Sequence, residues 1–182
     1  MKFLLNFTLI IILISCSEQK SYDFKVPEDA SYEQLDLALA KVAEEKPELK
    51  VKALHTDNYG ESKEYLFVFE DVKIMNRTIE FSRSIWLNDD KITSGGGWSQ
   101  NRIVQLGDAR ISIMKGSSFF NLEEKLIKEY CSEALKLCRF KPDTIAFSSH
   151  RVDKEVSIFL YNDKENSTVK LKIKDRHRDF FK

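Results

Sequence analysis

The sequence predicts an α+β domain, with two helices packed on antiparallel β-sheet. Three observations carry that expectation. Two segments place apolar residues at helical spacing, and each ends in Lys-Pro, at Lys46-Pro47 and Lys141-Pro142; the residue before a proline avoids the helical region. Between and after them, runs rich in β-branched and aromatic residues are separated by turn residues, the pattern of half-buried strands joined by hairpins. Hydrophobic residues make up 42% of the chain and 13 residues are Phe, which is enough apolar surface for a packed core.

The first helix is expected over residues 31–45, with Asp29 or Ser31 as its cap and Leu35, Ala38, Leu39 and Val42 as its apolar stripe. Strands follow. Leu49, Val51 and Ala53 alternate with lysines. Residues 65–74 form a strong β run with Leu66, Val68, Val72 and Ile74 at even positions. Residues 78–87 form another, closed by the turn residues Asn88-Asp89-Asp90. Ile92-Thr93 starts a partner strand that Ser94-Gly95-Gly96-Gly97 is expected to break. Residues 102–106 and 110–114 pair around Gly107-Asp108. The second helix is expected over residues 121–137. A strand then runs to about Ser149, and residues 155–161 and 168–174 form a hairpin whose turn begins at Asn162-Asp163.

The two halves are alike in outline. His55 lies eight residues past Pro47 and His150 eight past Pro142, and Lys63-Glu64 matches Lys154-Glu155. This suggests a tandem repeat of helix-plus-three-strand units, with halves 28–115 and 116–182. The apolar alternation after each proline is out of phase unless one gap is allowed. Without a repeat, residues 28–182 are one α+β domain.

The N-terminus has its own logic. Met1-Lys2 precedes an apolar run from Phe3 to Ile14, and the polar Ser17-Glu18-Gln19-Lys20 follows at once. A spanning helix needs about 20 apolar residues, so this run is a secretory signal rather than a transmembrane segment. Its end, Leu13-Ile14-Ser15-Cys16, resembles the lipobox of bacterial lipoproteins. The resemblance covers residues 1–16 only. It implies removal of residues 1–15, a lipid (diacylglycerol with palmitate-type chains) on Cys16, and a tether over residues 16–27. It also places the protein in the cell envelope, on a membrane. Ser17 stands where an Asp often retains such proteins in the inner membrane, which points to the outer membrane if the host is Gram-negative.

Charge and cysteines narrow the function classes. Lysines and arginines number 29, as do acidic residues, so the basic footprint of nucleic-acid binding is missing. Charge is uneven: residues 18–48 hold nine acidic and four basic residues, and residues 164–182 seven basic and three acidic. Cys131 and Cys138 lie seven residues apart in the second helix, about 10 Å along its axis, beyond the roughly 7 Å that a disulfide tolerates. They share the stripe of Leu122, Leu126, Ile127, Ala134 and Leu135, and read as small core residues.

No motif for chemistry stands out. The chain has three histidines, whereas catalytic zinc wants three protein ligands in a fixed arrangement. Ser149 and His150 are neighbours on a strand and point to opposite faces, so they cannot form a nucleophile–base pair. No metal, cofactor or catalytic residue is expected. The most unusual local feature is Gly95-Gly96-Gly97-Trp98, read as a loop. It is either a plain hairpin loop or a ligand- or partner-binding loop anchored by Trp98. The C-terminal strand turns Lys170, Lys172 and Lys174 to solvent, either to guard a sheet edge or as a basic patch. The leading expectation is a membrane-anchored, non-enzymatic binding or accessory protein with a protein or glycan partner. Two alternatives stay open: an inhibitor or immunity-type protein against an envelope enzyme or toxin, and an enzyme with a site of scattered carboxylates.

Overall fold

In the computed structural model, residues 21–147 and 155–177 are described. The signal segment, Cys16, Ser149, His150 and the C-terminal Phe180-Phe181 lie outside them. Helix α1 (Tyr32–Glu45) starts at Ser31, whose Oγ accepts the Gln34 N–H, and stops at Lys46 before Pro47. Leu35, Ala38 and Val42 are its buried stripe. Strands β1 (Val51–Tyr59), β2 (Ser62–Phe69), β3 (Val72–Ile74), β4 (Arg77–Asn88), β5 (Lys91–Leu106) and β6 (Ala109–Met114) follow. Helix α2 (Glu124–Leu137) then leads to β7 (Thr144–Phe147), β8 (Glu155–Tyr161) and β9 (Asn166–Lys172).

The α+β class holds. The nine described strands form one sheet in the order β1-β2-β4-β5-β6-β7-β8-β9, with β3 beside β4. One part of the expectation is corrected: the sheet is mixed, because β6 and β7 pair in parallel. Parallel neighbours need a crossover connection, and α2 supplies it. Every other pair is antiparallel.

Register places both helices on the same face. Opposite residues share a face, so Tyr65–Ile85 and Phe67–Arg83 line up with Ile79–Arg102–Ile113 and Ile111–Ile145–Leu160. Leu35, Ala38 and Val42 of α1 pack on the first part of that face, with Tyr65, Phe67 and Phe69. Leu126, Ile127, Tyr130, Cys131 and Ala134 of α2 pack on the second, with Ile111, Ile145 and Ile158. The division between the two cores falls within β5, because Val104, Ala109, Ile111 and Ile113 belong with α2. The two cores therefore divide earlier than residue 115. Phe120 touches both. Beside it, buried Arg102 donates from Nη1 to the carbonyls of Phe120 and Leu122 at 3.0 and 2.5 Å, which pins the connection entering α2.

Three details depart from the expected strands. The buried residues of β2 are the odd ones, Tyr65, Phe67 and Phe69, while Leu66 and Val68 lie on the other face. Both faces of this strand are apolar, so alternation alone could not choose between them. The run 65–74 is cut at Glu70-Asp71 into β2 and β3. A bulge between Val51 and Ala53 shifts the phase of β1, so that Leu54 is its buried residue. The β3–β4 turn is also unusual. Met75 and Asn76 have φ of 48° and 60°, a two-residue turn that favours Asn-Gly. For a residue with a Cβ such as Met75, this conformation costs roughly 1–2 kcal/mol.

Candidate functional site

The expected glycine loop is not a loop. Gly95, Gly96, Gly97 and Trp98 lie inside the continuous strand β5, paired with β4. The pairing steps from Arg83–Trp98 to Ile85–Gly95, so β5 spends one extra residue there, a β-bulge. The glycines serve this irregularity. A Cβ on Gly96 would stand 2.8 Å from the Ser84 Cβ, and the Gly96 carbonyl accepts a hydrogen bond from Arg83 Nη1. Glycine in a strand commonly marks such a bulge or close approach.

Trp98 lies on the face that carries α1. It is half-buried against Phe69 (ring centroids 5.3 Å apart) and Phe81 (6.5 Å), and its indole N–H donates to Glu45 Oε2 at 2.7 Å. Glu45 also receives a two-pronged bond from buried Arg83, Nε to Oε2 at 2.9 Å and Nη2 to Oε1 at 3.0 Å. The Arg83 guanidinium above all, with the Trp98 N–H, pulls the Glu45 carboxyl down to about 2. This cluster ties the last turn of α1 to the sheet. It gives Trp98 a structural place.

A second aromatic pair lies on the opposite face of the sheet, which carries no helix among the described residues. Tyr59–Ser62, Glu64–Trp86, Leu66–Ser84 and Val68–Ser82 are opposite pairs there, and the same face continues through Arg110–Thr144 to Ala146–Phe159. Trp86 stacks on exposed Tyr59 with centroids 5.6 Å apart and planes 20° from parallel. The Trp86 Nε1 is buried and has no hydrogen-bond acceptor among the described residues. Such orphaned donors are rare and call for an explanation. Further along, Met114, Phe159 and Tyr161 are exposed at 64%, 40% and 39%.

A charged cluster crosses the same face. Arg110 reaches over β5 to Glu80 Oε2 at 2.7 Å and holds Asp71 through both Nη atoms at 2.9 and 3.0 Å. Lys52 closes it, 2.6 Å from Glu80 and 3.2 Å from Asp71. Hydrogen bonding to Arg110 first, and to Lys52, lowers the Asp71 carboxyl below its usual range. Burial, with Asp143 and Glu80 nearby, raises the Tyr161 phenol. Two cations against two carboxylates leave the cluster balanced. It fixes side chains across β1, β4 and β6.

The remaining sequence candidates take ordinary places. His55 is exposed on edge strand β1, and Thr56 beside it donates to Asp29 at 2.7 Å. Cys131 is buried and Cys138 half-buried, both as free thiols. Lys170 and Lys172 are exposed opposite Ser157 and Glu155, whereas Lys174 is drawn to Glu129 and Glu133 at 2.8 and 3.0 Å. Among the described residues no group of three or more His, Cys, Asp or Glu is placed to hold a metal, and no helix is long and apolar enough to cross a membrane. No family model, curated protein or solved structure matches the chain. Function must therefore be argued from the site itself. Sequence reasoning missed Trp86, although the alternation of β4 carries the signal: Ile79, Phe81, Ile85 and Leu87 take one face, which leaves Trp86 with Glu80, Ser82 and Ser84 on the other.

Proposed function

We propose that the protein is a lipid-anchored accessory or binding protein of the cell envelope, and that it holds a protein or glycan partner on the helix-free face of its sheet. The observation that carries this reading is the Tyr59–Trp86 stack on a part-aromatic face, with a buried indole N–H that has no acceptor among the described residues. Aromatic residues with a polar handle are frequent anchors of binding surfaces. The lipobox-like Leu13-Ile14-Ser15-Cys16 supports the anchor and the envelope location. The architecture also favours a duplication: α1 followed by a meander and α2 followed by a meander, with both helices on the same face.

Two experiments test the reading. Cys16→Ser should abolish incorporation of labelled palmitate, and persistent labelling would refute the lipoprotein assignment. Affinity capture from envelope extracts, repeated with Trp86→Ala, should lose the bound partner. Capture unchanged by Trp86→Ala would remove the Tyr59–Trp86 face from consideration.

A further inference from the structure

Which end of the sheet faces the membrane can be read from strand direction. β1 begins, β2 ends, β4 begins and β5 ends at one end of the sheet, because Val51 pairs with Phe69, Val68 with Ser82, and Leu106 with Ala109 across the β5–β6 turn. The chain enters the fold at this end. Residues Ser21–Phe24 line a groove of about 540 Å³ with Lys50, Val51, Lys52 and Glu70. From this groove the Tyr22 side chain reaches the first two turns of α1, donating to Asp36 Oδ1 at 2.8 Å and stacking on Tyr32. Only residues 17–20 separate Cys16 from Ser21, and the five steps between them, at about 3.6 Å each, span at most roughly 18 Å.

The same end carries the most exposed apolar side chain among the described residues. The β3–β4 turn presents Ile74 at 42% and Met75 at 93% exposure, with Met75 in the left-handed region. The tip projects past the end of β2: Val68 is opposite Ser82, whereas the β4 strand continues to Arg77. Lys73 and Arg77 flank it, held by the neutral oxygens of Thr78 and Asn121. Leu137, 62% exposed, ends α2 on this side, where Lys141 is tied to Asp108 of the β5–β6 turn at 2.6 Å. A strained backbone that displays an apolar side chain to solvent is the kind of outlier that calls for a functional reason.

We infer that the Ile74–Met75 tip is a second membrane contact, dipping into the interface of the bilayer that holds Cys16. The inference rests on the lipoprotein reading. A diacylglycerol on Cys16 carries more than one chain and holds by itself; the tip would fix orientation, since two points of contact stop the domain from swinging on its tether. Met75 and Ile74 enter the acyl boundary while Lys73 and Arg77 meet anionic headgroup phosphates. The strands then lead away from the membrane, and the helix-free face stands to the side, open to a partner.

The test uses the lipidated protein in vesicles of phosphatidylethanolamine and phosphatidylglycerol. In a Cys138→Ser background, a nitroxide is attached at Met75→Cys or, as a control at the opposite end of β5, at Ile92→Cys. The lipid occupies Cys16, and Cys131 is buried. The expected result is more collision with oxygen and less with a water-soluble nickel chelate at position 75 than at 92. Equal, water-like exposure at both positions overturns the inference. Shielding from both probes at 75 overturns it too, because that signals protein contact. The mass of the purified protein reports the lipid on Cys16 separately. An unmodified Cys16 removes the lipoprotein reading and this inference together, whereas lipidated protein with a wet position 75 removes this inference alone.

Discussion

Glu45 closes α1, where the helix dipole disfavours a negative charge, yet it is held there by Arg83 and Trp98. Glu45→Gln should cost about 2 kcal/mol in urea unfolding, because it leaves buried Arg83 with a neutral partner. The pH dependence has a definite sign. The folded carboxyl lies near 2 and the ordinary value is 4.5. The stabilisation is therefore complete above about pH 4.5 and is lost as pH falls toward 2. Wild type should lose more stability than Glu45→Gln over that window, and parallel curves would contradict the assignment. Gly96 gives a second residue-scale prediction. Gly96→Ala should cost about 1–3 kcal/mol by overpacking against Ser84, and Ser84→Gly should recover part of it in a double-mutant cycle. Neither role could be seen in the sequence. Glu45 and Arg83 are 38 residues apart, and the closeness of Gly96 to Ser84 exists only once β4 and β5 pair. Local chemistry was legible by contrast: Ser31 caps α1, Pro47 ends it, and Asn162 Oδ1 accepts the Lys164 and Glu165 N–H groups in the turn it was expected to begin.

Among the elements, the helices were the most legible, because each buries one stripe at helical spacing. The α2 stripe also settles its cysteines. Burial pushes the Cys131 thiol up to about 12, so it should resist alkylation by iodoacetamide in the native protein and react only after unfolding, as mass spectrometry can count. Rapid native modification of Cys131 would contradict the placement of α2. Strands were harder. In β5 a run of glycines reads as a loop, yet it continues the strand because a bulge takes up one extra residue and Gly96 lets the backbone pass close to Ser84. In β2 aromatic Tyr65, Phe67 and Phe69 alternate with Leu66 and Val68, so either face could have been the core. The parallel pairing of β6 and β7 depends on where α2 returns the chain, which no local pattern encodes.

At the scale of the whole molecule, α1 and α2 cover one face of a single sheet, and the other face carries no helix among the described residues. That asymmetry was partly foreseeable from an α+β pattern, but the location of the candidate site was not. It moved from Trp98, which seals α1 to the sheet, to Trp86 and Tyr59 on the opposite face. A lipid at Cys16 would keep this face near a membrane. The most direct test of the account is site-specific photocross-linking in cells. A photoreactive residue at Ser82 or Phe159, on the helix-free face, is compared with one at Lys128 on α2. The account predicts discrete adducts from Ser82 and Phe159 and none from Lys128. Adducts formed only from Lys128 would contradict it.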